Sequence, residues 1–250
     1  FSVKNTDVSL TLGSIESTDT VPSEPLYWKI LLDEIDFENV GFALKMPQDS
    51  LFVRTMLPKT TLKNGVINLK EASYYVKSFG IDNAELAYGP KEELFLQQIG
   101  LQLDSIYYCG KDIRANIEEF VLKERSGLEL VSTEGRIVSD SVLIEIPKFT
   151  MKTTVSSLDL QTKIGWDVLE MKKTGVLSAK INAEIGKGDV AKILGGRDTL
   201  FLQTYPNKPF VFRADAEGNL NSLRLRTLEA GLAKAFELKA EGDLLYLTDS

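Results

Sequence analysis

The chain has 250 residues, 43% of them hydrophobic and 26% charged, with 29 Lys and Arg against 36 Asp and Glu for a net charge of −7. This balance excludes a disordered chain and disfavours a nucleic-acid backbone or an anionic membrane surface as the main partner. A single cysteine, Cys109, rules out an intramolecular disulfide, and the lack of histidine rules out Ser-His and Cys-His nucleophiles and histidine-based zinc sites.

The chain begins at Phe1, shows no signal-like or membrane-length apolar run, and ends in the strand-like LLYLTDS. It therefore reads as one β-rich segment, 1–250, of a longer protein, with a soft internal boundary near 90–98. Val8, Leu10 and Leu12 alternate, and the polar, proline-containing 14–25 reads as an exposed loop. Ile30 and Leu32, then Ile35 and Phe37, then Val40, Phe42, Leu44 and Met46 alternate, with the parity shifting near Leu32–Ile35 and again near Asn39–Val40. Such shifts suit β-bulges or short turns. A turn is expected at 47–50, and Asn64-Gly65 carries a hairpin-type turn signal. Ile67 and Leu69, Tyr74 and Val76, Phe79 and Ile81, and Ala84, Leu86 and Tyr88 form further short runs. Residues 91–98 read as a helical turn or a loop into the next strand.

Ile99, Leu101 and Leu103, Ile106 and Tyr108, and Ile113, Ala115 and Ile117 continue the period of two. Cys109 is expected in a strand as a small buried side chain. From Phe120 to Leu160 the alternation runs through Leu128 and Leu130, then Val142, Ile144 and Ile146, then Phe149, Met151, Thr153 and Val155, then Leu158 and Leu160. Leu177 to Ile185 is a five-membered alternation. The segment 189–194 is the best short-helix candidate, with Asp189 as its expected cap and Gly195-Gly196 as its stop. A loop is expected at 201–209, followed by strands through Phe210 and Phe212, Leu223 and Leu225, Phe236 and Leu238, and Leu245 and Leu247.

The total is about fifteen to eighteen short strands. The expected fold class is all-β: an elongated, curved antiparallel sheet or a two-walled, sandwich-like β-groove, with at most one or two short helices. A one-faced sheet must bury its apolar side against something. Alternation alone does not separate a packed core from a groove lined for acyl chains.

Acid pairs occur at Asp33-Glu34, Glu92-Glu93 and Glu118-Glu119. Neighbouring residues on a strand point to opposite faces, so these pairs do not form a glycosidase-type carboxylate couple. Gly186-Lys187-Gly188 is too short for a phosphate loop, and the acidic residues lack calcium-loop spacing. The reading is non-enzymatic, without cofactor or metal.

The order of the phrases DEIDFENVGFALKMPQDSL, LKNGVINLKEASYYVKSFGIDNAELAYG, DIRANIEEFVLKERSGLELVSTEGRI, FTMKTTVSSLDLQTKI and DVAKILGG resembles a middle segment of the AsmA-like and translocation-and-assembly-module (TamB-type) proteins of the Bacteroidetes. The most specific parts are Phe120, Leu122, Glu124, Arg125, Ser126, Gly127 and Leu128, followed by the step Thr153, Ser156, Leu158. Gly218, Asn219 and Leu223 are similar to a further strand-pair motif of the family. The resemblance implies a periplasmic bridge anchored in the inner membrane, with an apolar β-groove that carries phospholipid between membranes or assists assembly of outer-membrane proteins. It implies phospholipid acyl chains as ligand, outer-membrane assembly machinery as partner through other regions, and no catalytic residues. The alternative is a β-sandwich interaction or adhesion module of a surface or periplasmic protein. The expected groove lining is Leu128, Leu130, Val142, Ile144, Ile146, Phe149, Met151, Val155, Leu158, Leu160, Phe210 and Phe212.

Overall fold

The structure, a computed structural model, describes residues 1–11, 27–46, 51–89, 91, 93–172, 174–195, 199–245 and 247. The loop expected at 14–25, the turn at 47–50 and Gly196 lie outside them. The chain is all-β, and it divides into two compact units, Phe1–Gly110 with Glu118–Arg125, and Lys111–Ile117 with Ser126–Ser250.

The first unit holds β1 (Ser2–Thr11), β2 (Lys29–Met46), β3 (Leu51–Asn68), β4 (Ser73–Tyr88) and β5 (Leu94–Cys109), hydrogen-bonded in chain order. Strand β6 (Asp112–Glu124) contributes a part to each unit. All pairings from β2 to β5 are antiparallel, but β1 runs parallel to β2, with Ser2 opposite Asp36 and Thr11 opposite Lys45. The sheet is antiparallel as expected, and β1 is the exception among the described pairings. Alternation fixes which side chains share a face but not the direction of the neighbouring strand.

Strands β2 and β3 are 18 residues each, far longer than the runs legible in the sequence. Single residues with a left-handed backbone join the runs. Asn39 (φ 53°) sits in β2 between Phe37 and Val40, opposite the register gap at Asn5 (φ 49°), and donates its amide to the Asn5 Oδ1 at 3.3 Å. Pro58 occupies the same break in β3, where no backbone N–H is required of it. A second line of breaks crosses Asp33, Asn64, Lys77 and Ser105. Each break moves the strand on by one residue, so the apolar set changes parity yet stays on one face. The expected hairpin at Asn64-Gly65 is therefore corrected: Asn64 (φ 52°) kinks β3 without ending it. Asparagine tolerates that backbone region as readily in a strand break as in a turn. Joining runs in this way accounts for the smaller number of strands. The parity shift read at Asn39 is one of these breaks.

The second unit holds β7 (Glu129–Ser139), β8 (Leu143–Thr153), β9 (Ser157–Gly165), β10 (Leu177–Ile185), β11 (Phe210–Gly218), β12 (Ser222–Leu232) and β13 (Phe236–Leu245), again in chain order and antiparallel. Among the described residues, three short helices, α1 (Trp166–Leu169), α2 (Lys187–Leu194) and α3 (Thr199–Thr204), lie in its connections, against the one or two expected. Helix α3 falls in the segment read as a loop, because a helix this short carries no full apolar period.

Helix α2 is the expected helix and stops at Gly195, which takes the left-handed conformation (φ 56°). Its cap is Gly186, not Asp189. Asp189, 2% exposed, instead reaches back to the β8–β9 turn. There it accepts hydrogen bonds from the Thr153 and Ser156 hydroxyls, the latter at 2.6 Å. The Ser156 Oγ accepts from the Gly186 N–H at 3.0 Å, and the Thr153 Oγ1 accepts from the Ser156 N–H at 2.8 Å. Thr153, Ser156 and Asp189 thus form one clamp that ties α2 to the sheet, with Lys192 Nζ at 3.8 Å from Asp189.

Candidate apolar binding face

Cross-strand register shows which side chains share a face, because residues directly opposite one another project to the same side. In the second unit, Gly135, Phe149, Leu160, Ile181, Ala214, Leu228 and Ala240 stand in one row across seven strands. The next row is Thr133, Met151, Leu158, Ala183, Phe212, Ala230 and Leu238, and a third begins at Ile144, Ile164 and Leu177. Bulky side chains dominate over β8 and β9, while alanines at 179, 183, 214, 216, 230 and 240 leave the face shallower over β10 to β13. At one end of the face, the Phe210 and Phe236 rings lie 6.3 Å apart.

The opposite face of the same unit carries charge. Lys163 meets Glu145 at 3.0 Å, Arg213 meets Glu229 at 3.1 Å, and Lys148 meets Glu134 at 3.7 Å. These exposed pairs contribute little stability, but they mark that face as the solvated one.

Of the expected lining residues, Ile144, Ile146, Phe149, Met151, Leu158, Leu160, Phe210 and Phe212 fall on the apolar face, all half-buried. Leu130 joins them opposite Thr153. The other three lie in connections between strands. Leu128 precedes β7, Val142 is 63% exposed ahead of β8, and Val155 is 49% exposed in the β8–β9 turn. Val155 packs instead where a side chain on Gly186 would stand, 2.8 Å from its Cβ. The Asp140 carboxylate sets the turn at Val142, accepting from the Val142 N–H at 2.7 Å and the Leu143 N–H at 3.0 Å. Those two N–H groups, Leu143 foremost, hold the Asp140 carboxyl below the usual aspartate range.

The first unit has an equivalent face that the expected lining omits. Val8, Phe42, Thr55, Leu86 and Leu96 form one row, Ile35, Leu62, Phe79 and Leu103 another, and Ile30, Ile67, Tyr74 and Tyr108 a third. Phe37 and Phe42, five residues apart, meet edge to face at 6.3 Å because Asn39 brings both to one side. The signal was present in the sequence as the short alternating runs. It gained its meaning only when the strand breaks joined them.

Few described residues are buried within either unit. The buried apolar residues among those described are Val40, Ala84, Ala87, Val168 and Tyr205. Apart from α1 against β9, every substantial contact between described elements is between sheet neighbours. Cys109, expected as a buried side chain, is half-buried at the end of β5, its thiol 3.6 Å from the Glu71 carbonyl. A strand end is less enclosed than the strand interior assumed for it. No group of metal-ligating residues occurs among the described residues, and no helix among them is long and apolar enough to cross a membrane.

No family model matches the chain, and no curated protein or solved structure matches it either.

Proposed function

We propose that this chain is a non-enzymatic segment of a periplasmic, AsmA/TamB-like bridge protein, whose one-faced sheet offers apolar side chains to phospholipid acyl chains in transit between two membranes. One observation carries the reading: rows of half-buried apolar side chains run across successive strands of the second unit, and among its described elements only α1, against β9, makes a substantial contact besides those between sheet neighbours. A contiguous apolar patch on a protein surface marks a site for an apolar ligand or partner. Acyl chains match such rows because they ask for area and not for hydrogen bonds. The head group would remain on the solvent side. The phrase-level resemblance supports the same reading, since two of its phrases, around Thr153 and around Asp189, meet in the clamp that fixes α2 to the sheet.

The test is native mass spectrometry of the purified chain with solvent extraction of the co-purifying molecules. Stoichiometric phospholipid is expected. It should be lost when Ile144 and Met151 are both replaced by lysine, and retained when Thr150, on the opposite face, is replaced instead. Circular dichroism checks that each variant keeps its sheet. Lipid-free wild-type protein, or lipid kept by the Ile144→Lys/Met151→Lys variant, would overturn the assignment.

A further inference from the structure

A buried hydroxyl is costly unless it is hydrogen-bonded. On the apolar face of the second unit Thr162, 9% exposed, meets that demand by donating to the Ser178 carbonyl at 2.8 Å. In the first unit Thr55 donates to the Glu85 carbonyl at 2.7 Å. Thr133 and Thr60 do neither. Thr133 is 3% exposed and Thr60 4%, and the hydroxyl of each is enclosed without a hydrogen-bond partner. Both stand in apolar rows, Thr133 opposite Met151 and Thr60 between Phe37 and Ile81. The other enclosed side-chain atoms without a partner, among the described residues, are Asp112 Oδ1 and Asp189 Oδ1. Each of those carboxylates is bonded through its second oxygen. Each unit thus carries a threonine on its apolar face whose hydroxyl the fold does not use. Valine has nearly the same shape, suits a strand as well, and would avoid the cost.

We infer that Thr133, and Thr60 in the first unit, each donate a hydrogen bond to the ester carbonyl of an acyl lipid laid on the face. The inference rests on the acyl-chain reading above and narrows it to ester-linked lipids. A hydroxyl offers one donor, and the carbonyl at the head of an acyl chain is an acceptor that brings no donor of its own. An extended peptide fits worse. Its N–H groups would find no acceptor among Met151, Leu158, Ala183 and Phe212, the side chains of the row that starts at Thr133. That row crosses four strand spacings, about 19 Å, which is room for an extended acyl chain with its carbonyl end at Thr133. Met151 is unbranched and flexible, so it can swing off the hydroxyl as the lipid arrives. In the free protein the hydroxyl stays enclosed, and the lipid supplies the missing acceptor.

The probes are a diacyl phosphatidylcholine and its dialkyl ether analogue of equal chain length, offered together to the purified chain and read by native mass spectrometry. The wild-type chain is expected to take the ester form about five- to tenfold over the ether form, the worth of one hydrogen bond. Thr60→Val/Thr133→Val should bind as much lipid in total and show no preference. Its urea midpoint should equal or exceed that of the wild type, since no bond within the sheet is lost. The inference is overturned, with acyl-chain binding left standing, by a wild-type chain that does not discriminate or by a preference that survives the double variant. A double variant that loses both lipids alike, or whose urea midpoint falls, overturns it too, because the hydroxyls would then serve the fold. A wild-type chain that takes neither lipid overturns both readings.

Discussion

Replacing Asp189 by alanine tests whether the clamp on α2 holds the second unit together. The carboxylate is 2% exposed and accepts two hydroxyl hydrogen bonds, from Thr153 and Ser156. A hydrogen bond to a charged acceptor is worth about 1.5–3 kcal/mol. Part of that is returned because alanine removes a buried charge that had to be desolvated, and the freed hydroxyls lose their partner without gaining water. The net loss is expected to be about 2–3 kcal/mol. With a urea dependence of about 2 kcal/mol/M, the midpoint should fall by about 1–1.5 M. Asp189→Asn keeps one acceptor and loses the charge, so it should fall about half as far. Hydrogen exchange localises the effect. The Gly186 and Ser156 amides, bonded to Ser156 Oγ and Thr153 Oγ1 at 3.0 and 2.8 Å, should lose protection before the β9–β10 ladder does. If Asp189→Ala leaves both amides protected and the urea midpoint unmoved, the clamp contributes nothing and the reasoning fails.

Asn39→Ala should destabilise the first unit by about 1–2 kcal/mol, because alanine resists the left-handed backbone, whereas Asn39→Gly should be close to neutral; thermal melts of the two variants decide it. Gly135→Ala puts a methyl 2.8 Å from the Phe149 ring and 3.3 Å from the Lys148 carbonyl, and should cost about 1–3 kcal/mol by overpacking, read as a lowered urea midpoint. Asp140 has a carboxyl pKa lowered by the Leu143 and Val142 N–H groups. Its contribution to stability is therefore complete above the unfolded aspartate value of about 3.9 and is lost as pH falls through its lower folded value. Carboxyl NMR titration should show the depressed midpoint, and Asp140→Asn should remove this part of the acid dependence while keeping an acceptor for the turn.

The apolar face was legible in the sequence, residue by residue, and its continuity was not. Ile144, Ile146, Phe149 and Met151 were readable because a period of two holds on either side of Pro147, and the parity change between them is the skip in the register of β8 against β9. Val142 and Val155 share the parity of their neighbours but lie in turns that Asp140 and Thr153 build through side-chain hydrogen bonds, which parity does not report. Asn64-Gly65 has the composition of a hairpin. Whether such a pair ends a strand or kinks it depends on the neighbouring strands, which carry matching breaks at Asp33, Lys77 and Ser105. The parallel placement of β1 was invisible for a related reason, since its alternation is the same in either direction.

The chain-order hydrogen bonding within each unit has a consequence for synthesis. Strands β3 to β5 each pair with the strand just before them, and so do β8 to β13. Growth of the sheet therefore needs no segment that has yet to leave the ribosome. Most connections to be closed are short, the helix-bearing one between β10 and β11 excepted, which favours fast pairing, and each new strand docks on an edge that is already formed. Such a chain can be laid down like courses of brick, in the direction in which it is made, with one growing edge exposed at any moment.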